Sequence, residues 1–318
     1  MSTRMADLQI GDSFTDYYVI SDIHVRSDRN GRPFLTASLS DASGSLPAKM
    51  WDYSGPLSEE DNARVVKVQG TVTEFNAQPQ VTIHQLRAAD ERDAGRYRTE
   101  DLLPCAPIDT ERALADVREL TGSISDPDYR RAAQTMLERH MKTFRTIPAA
   151  KSVHHEYLHG LLMHTAYMMR TADYLADLYS HIIDRNLLLA GTLLHDLAKD
   201  KEFSFSPLGL VSGYTVSGDL LGHLYLGAQE TADVCRELEI PEEKSVLLQH
   251  MILSHHGDPE FGACVPPRCA ESELLSMIDR IDSRMEIYTK ACESVPEGNF
   301  SAPVFSLGKS VYRHFLTD

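Results

Sequence analysis

The chain has 318 residues, 42% of them apolar and 25% charged, which is the composition of an ordinary globular protein with a full-sized core. Collagen, a disordered tail and a disulfide scaffold are thereby excluded, and the length suggests about two domains. The 31 Lys and Arg against 47 Asp and Glu give a formal charge of -16, which at face value opposes a polyanionic partner.

The start MSTRMADLQIGDSF has no apolar stretch behind its single Arg, and no run of 18 apolar residues follows anywhere. The expectation is a cytoplasmic protein with no membrane partner; five scattered cysteines agree with a reducing compartment. Residues 17–25, 34–39, 47–51, 65–75 and 80–86 are rich in Val, Ile, Thr and aromatics. Between them lie the turn signals Asp28-Arg29-Asn30-Gly31, Asp41-Ala42-Ser43-Gly44 and Asn76-Ala77-Gln78-Pro79. Five short strands in this space predict a small barrel over residues 1–92. A barrel that binds single strands needs stacking aromatics and a few cations, and Arg26, Arg29, Arg32, Phe34, Lys49, Trp51, Tyr53 and Phe75 are available. Core packing is the competing role for each aromatic.

Residues 93–147 read as a polar, proline-containing linker that turns helical from Asp109, with a break at Ser125-Asp126-Pro127. Between residues 129 and 151, Arg130, Arg131, Arg139, Lys142, Arg145 and Lys151 face one acid, Glu138. That local +5 is either a solvated helix face or a track for phosphates.

Acid and imidazole are concentrated in the rest. Ten of the 14 histidines lie between His154 and His256, as in a metal site. Helical periodicity covers residues 154–179, with His164 beside the apolar stripe. Residues 186–199 (NLLLAGTLLHDLAK) are apolar on nearly every side until His195-Asp196, so the helix is buried and its terminal Asp needs a cationic partner, most economically a metal. Gly222-His223, His255-His256-Gly257, and Asp279 with Asp282 follow in order. Cys264 and Cys269 are read as free thiols, since no second cysteine pair accompanies them.

The segments PAAKSVHHEYLHGLLMHT, LLHDLAK, GHLYLGA, HMILSHHGDPEFGA and IDRIDSRM resemble the HD phosphohydrolase superfamily in its two-metal form, and more closely the YhaM family of 3'-to-5' exoribonucleases. Two departures are His159, where that family has Gly, and Met163, where it has an acid. The resemblance implies an N-terminal OB-fold barrel followed by an all-α HD domain over residues 148–318. It also implies hydrolysis of single-stranded RNA to nucleoside 5'-monophosphates, with single-stranded DNA as a second candidate. His164, His195, Asp196 and Asp279 are expected to hold one metal. Asp196 would bridge to a second, held by His223 and by His255, His256 or both.

Imidazoles and carboxylates without thiolates favour Mn²⁺, Fe²⁺, Co²⁺ or Mg²⁺ over a closed structural zinc site; two ions, Mn²⁺ foremost, are the expected cofactors. Two such ions suit in-line phosphoryl displacement. Asp196, Lys199 and His256 are the expected catalytic residues. Lys151, His154, His155 and Arg145, with Phe34 and Trp51 on the barrel, are the expected substrate contacts. Lys199 has a competing role as a cation at a helix end. Asp282 either orients a metal ligand or pairs with Arg280 or Lys290. The rival activity is an HD phosphodiesterase acting on small or cyclic nucleotides, with the barrel regulatory; the rival class is an inactive nucleic-acid-binding protein. A homo-oligomer stays open.

Overall fold

The structure is a computed structural model describing residues 3–58, 61–149, 157–206 and 208–315. Its contacts divide the chain into two compact units, Met1–Cys105 with Phe205–Leu210, and Ala106–Ser204 with Val211–Asp318.

In the first unit β1 (Ser13–Ser27), β2 (Pro33–Asp41), β3 (Gly44–Trp51), β4 (Arg64–Phe75) and β5 (Gln78–Ala88) close a barrel in the order β1-β2-β3-β5-β4. This is the expected OB-fold. Closure depends on β1, whose first half pairs with β4 and whose second half pairs with β2 across a bulge between Ser21 and His24. Alternation places Leu35, Ala37 and Leu39 of β2 in the core beside Ile20, Val66, Val68 and Val81. The predicted turns carry the chemistry they need. Asp28 Oδ1 accepts from the amides of Asn30 and Arg32, and Asn76 and Ala77 both have positive φ in the β4–β5 hairpin.

Of the aromatics offered for stacking, Tyr53 is in the core, its hydroxyl bonded to Leu57. Phe34 and Trp51 pair across β2 and β3 with ring centroids 5.4 Å apart, and Lys49 Nζ lies 3.5 Å from the Trp51 centroid and 4.3 Å from that of Phe34. Trp51 is half exposed.

The second unit is mainly helical. After the turn α1 (Thr99–Leu102) of the first unit, it holds α2 (Thr110–Gly122), α3 (Pro127–Phe144), α4 (Gly160–Leu178), α5 (Arg185–Leu194), α6 (Lys199–Glu202), α7 (Val216–Glu237), α8 (Glu242–Ser254) and α9 (Ala270–Glu293). A hairpin of β6 (Phe203–Phe205) and β7 (Val211–Tyr214) separates α6 from α7, and β8 (Asn299–Phe300) pairs with β9 (Tyr312–Arg313) after α9. Arg313 donates to the carbonyls of Cys292 and Val295, tying that last hairpin to the end of α9. α5 is buried on all sides, as its sequence requires, and packs against α3, α4, α8 and α9. No helix among the described residues is long and apolar enough to cross a membrane.

Two sequence expectations change here. The helix expected from residue 154 begins at Gly160, because His159 is left-handed at φ +65°. That conformation favours glycine, the residue expected here from the resemblance; the His159 ring makes a 2.6 Å bond with the Arg145 carbonyl. The basic stretch is also largely engaged. Arg130 and Arg131 donate to the Ile124 and Leu238 carbonyls, Arg139 pairs with Glu237, and Arg145 pairs with Glu111.

A buried histidine joins three helices in this unit. His140 on α3 bonds Asp200 (2.8 Å) on α6 and Glu230 (3.0 Å) on α7. Burial alone would lower its pKa, but the two carboxylates outweigh it and raise the imidazole to about 9. Since the folded value exceeds the ordinary 6.5, this contribution is complete below about pH 6.5 and is lost as pH rises through about 9. The linkage amounts to roughly 2–3 kcal/mol. The Tm measured in EDTA should therefore fall by about 5–10 °C between pH 6.5 and 9.5. In His140→Gln that slope should flatten; an unchanged slope would refute the assignment.

Candidate metal centre

Each site histidine is placed by a local feature of its helix end. His164 lies at the start of the second turn of α4, fully buried. His195 caps the C-terminus of α5 and Asp196 follows on the turn leading to α6. Gly191, one turn earlier, has no room for a Cβ against Met251 of α8, so it allows the close approach that brings α5 and α8 together. His223 follows a break inside α7, where Gly222 adopts φ +72°, ψ +161°, a region open essentially to glycine alone. His255 caps α8, and Gly257 at φ +82° turns the chain away directly after His256. Asp279 and Asp282 lie three residues apart on α9.

The second atoms of these rings are pinned. His195 Nδ1 lies 2.7 Å from the Thr192 carbonyl, and His255 Nδ1 lies 2.7 Å from that of Ile252. Carbonyls only accept, so both Nδ1 atoms carry protons and both Nε2 atoms present lone pairs. Carboxylates do the same elsewhere: Asp282 Oδ2 is 2.6 Å from His164 Nδ1, and Glu202 Oε1 is 3.0 Å from His223 Nδ1. Asp282 thus orients a candidate ligand. Glu202 does so too and has no motif of its own in the sequence.

All four Nε2 atoms converge on Asp196. Its Oδ2 is 3.2 Å from His195 Nε2, 3.6 Å from His164 Nε2 and 2.6 Å from Lys199 Nζ. Its Oδ1 faces the other way, 3.4 Å from His223 Nε2 and 3.7 Å from His255 Nε2. Asp279 Oδ1 joins the first side, 3.5 Å from His164 Nε2. Two groups result, His164-His195-Asp196 and His223-His255-His256, in each of which the candidate ligand atoms lie within 4.8 Å of one another.

Lone pairs facing lone pairs at these distances repel unless positive charge lies between them. His164 and His195 Nε2 are 3.3 Å apart, and the buried atoms Asp196 Oδ1, His223 Nε2 and His256 Nδ1 have no hydrogen-bond partner among the described residues. The donor set is therefore suited to divalent cations, and without thiolates it is suited to hard or borderline ones. The protonation equilibria agree. Burial alone would raise the Asp196 carboxyl, but Lys199, His195 and His223 hold it well below the usual range. Burial pushes His255 far down and His256 to about 4, so both stay neutral at physiological pH. Burial opposes the charged form of His164 as well, yet Asp282, Asp279 and Asp196 outweigh it and raise its pKa, which marks the negative side of the centre.

The centre forms one wall of an open cavity of about 660 Å³, to which Asp196, Lys199, His223, His255, His256 and Asp279 all contribute. That volume accommodates a nucleotide. Of the expected substrate contacts, Arg145 is not among the described residues lining the cavity. Lys151, His154 and His155 lie outside the described residues. Phe34 and Trp51 belong to the barrel. Met163, where an acid was expected from the family, packs against Tyr157 and Ala106 and contributes nothing to the centre.

Comparison with known proteins adds the family. A family model described as HD domain matches residues 161–284. The chain is 36% identical over 310 residues to the 3'-5' exoribonuclease YhaM of Bacillus subtilis, covering 96% of each. It is 35% identical to the protein of the same name from a Geobacillus strain, with coverage of 98% and 95%. The one from Halalkalibacterium halodurans is 34% identical, with coverage of 98% and 97%. Among solved structures, the second OB-fold domain of replication protein A from Methanococcus maripaludis aligns with 29% of this chain at 15% identity and a TM-score of 0.23. With identity above one third across nearly the whole of both chains, and an HD domain where the histidine groups meet, the chain belongs to the YhaM family of 3'-5' exoribonucleases.

Proposed function

We propose that the protein is a metal-dependent 3'-to-5' exoribonuclease that hydrolyses single-stranded RNA, with single-stranded DNA as a secondary substrate, to nucleoside 5'-monophosphates in the cytoplasm. The observation that carries this reading is the position of Asp196, whose two oxygens address two separate histidine groups at the wall of a nucleotide-sized cavity. His164, His195, Asp196 and Asp279 would hold one ion, and His223, His255 and His256, with Asp196 shared, a second. When bound, such ions, Mn²⁺ foremost, supply Lewis acidity for the phosphodiester and lower the pKa of the attacking water.

The chain's own residues do the remaining work. Glu202 and Asp282 fix the tautomers of His223 and His164, so the inward nitrogens stay lone-pair donors. Lys199, held 2.6 Å from Asp196 and lining the cavity, neutralises a phosphate oxygen that reaches the centre. The apolar helices around His195 and His255 keep the inner side of the centre free of water. On the barrel, Trp51 and Phe34, with Lys49 over both rings, form a platform for upstream bases. Replacing Trp51 by Ala should weaken the Kd for a 20-mer RNA about 5- to 30-fold, or roughly 1–2 kcal/mol, while kcat stays within twofold. Fluorescence anisotropy with single-turnover kinetics checks both values.

The function itself is tested by incubating 5'-labelled single-stranded RNA with the protein and Mn²⁺. A ladder shortening from the 3' end, absent in Asp196→Asn, supports it; no shortening with any divalent ion sinks it. The small-nucleotide alternative expects hydrolysis of cyclic or free nucleotides in place of the ladder.

A further inference from the structure

One wall of the cavity is a single stripe of α9. Glu273, Ser276, Met277, Arg280, Ser283 and Arg284 repeat at helical spacing, and all line the cavity into which Asp279 also faces. In a chain of net charge -16, Arg280 and Arg284 are conspicuous because neither has an ion-pair partner among the described residues, although Glu273 and Asp258 line the same cavity. The Arg280 guanidinium instead lies 5.7 Å from the ring centroid of Phe261, on the short helical turn Pro259–Phe261 that follows His256. Unpaired guanidiniums on a cavity wall, one of them backed by an aromatic face, match a phosphate with two acceptor oxygens. From Asp279 to Arg284 the helix advances about 7.5 Å, comparable with the spacing of successive phosphates along a single strand.

The polarity of the reaction then decides which phosphate this is. A strand held by its 3' end has the scissile phosphate at the metal centre; the upstream 3'-oxygen leaves, and on the 3' side there is only the terminal nucleoside, which keeps that phosphate and otherwise ends in hydroxyls. A second phosphate can reach the cavity only from the 5' side. We propose that Arg280 and Arg284 bind the phosphate one nucleotide upstream of the scissile bond, so that a substrate lacking that phosphate is hydrolysed poorly. This rests on the exoribonuclease reading and adds a substrate requirement to it: the smallest efficient substrate is a dinucleotide with a 5'-phosphate. Arg280 and Arg284 bind substrate away from the reacting atoms, and the bond broken is the same in every case.

The test uses two dinucleotides, one with a 5'-phosphate and one with a 5'-hydroxyl, hydrolysed by the full-length protein loaded with Mn²⁺. Wild type should show a kcat/KM about 30- to 100-fold higher for the phosphorylated one, mostly through KM. In the double variant Arg280→Gln, Arg284→Gln that ratio should collapse to less than about fivefold, and the single variants should fall between. Equal rates for the two dinucleotides in wild type, or a ratio unchanged in the double variant, would overturn the proposal while leaving the exoribonuclease intact. If wild type hydrolyses neither dinucleotide nor longer RNA, the parent reading has failed instead. Far-UV circular dichroism of the double variant should match wild type, since both side chains line the open cavity on α9; a changed spectrum moves the test to the single variants and to wild type with a trinucleotide whose upstream linkage is a methylphosphonate, where loss of that charge should cost the same 30- to 100-fold.

Discussion

Asp196→Asn is expected to lower the rate of RNA hydrolysis by at least about 10³-fold, more than 4 kcal/mol in the barrier. The substitution keeps the shape and leaves one acceptor for Lys199, but it removes the only carboxylate among the described residues that addresses both histidine groups. The same variant separates chemistry from folding. Mn²⁺ at 100 times its Kd should stabilise wild type by about 2.7 kcal/mol through mass action, and most of that increment should vanish in Asp196→Asn. Differential scanning calorimetry with and without the ion measures it. An Asn variant that still gained full stability from Mn²⁺ and still cut RNA would remove Asp196 from the centre.

The second large effect falls on a residue that touches no candidate ion. Glu202 Oε1 accepts from both the backbone amide and Nδ1 of His223, and Gly218, whose missing side chain allows α7 to approach the Glu202 carbonyl, holds the two segments together. Burial alone would raise the Glu202 carboxyl, but its bonds to His223 keep it below the usual range, so it is an anion when it orients the ring. Glu202→Gln can offer His223 either an acceptor or a donor, and the donor form leaves the ring proton on the inward Nε2 in place of a lone pair. Metal affinity should fall about 10- to 100-fold, with the loss in RNA hydrolysis recovered by raising Mn²⁺. A Mn²⁺ titration of activity reads this directly; a loss that no concentration of Mn²⁺ restores would assign Glu202 a different role.

Much of the architecture is written locally in the sequence. The alternation in β2 and the turn residues at 28–31 and 76–79 act over a few positions, and the strands form where those patterns lie. The histidine groups are legible for a related reason: His195-Asp196 ends a helix with no polar face, an arrangement that demands a partner for the charge. What sequence could not supply is distance in space. The partners of Arg145 and Arg139 lie 34 and 98 residues away, so a run of cations that looks free in one dimension is largely neutralised in three. Glu202 was invisible because its target is 21 residues further on, beyond a hairpin. Asp282 was ambiguous because spacing puts it on the face of Asp279 but cannot name the His164 nitrogen it meets 118 positions earlier.

The net charge of -16 also takes a different meaning. Several acids counted in it, among them Asp196, Asp279, Asp282 and Glu202, surround the histidine nitrogens, where divalent ions would offset them. Few cations remain for a long strand, so binding should depend on the centre and a small number of specific contacts more than on a broad basic surface.

The most direct test of the central claim is the metal content of the purified, Mn²⁺-loaded protein together with anomalous scattering from its crystals. The account predicts two ions per chain, one on each side of Asp196, the first against His164, His195 and Asp279 and the second against His223 and the His255-His256 pair. A single ion, or two that do not share Asp196, would contradict it.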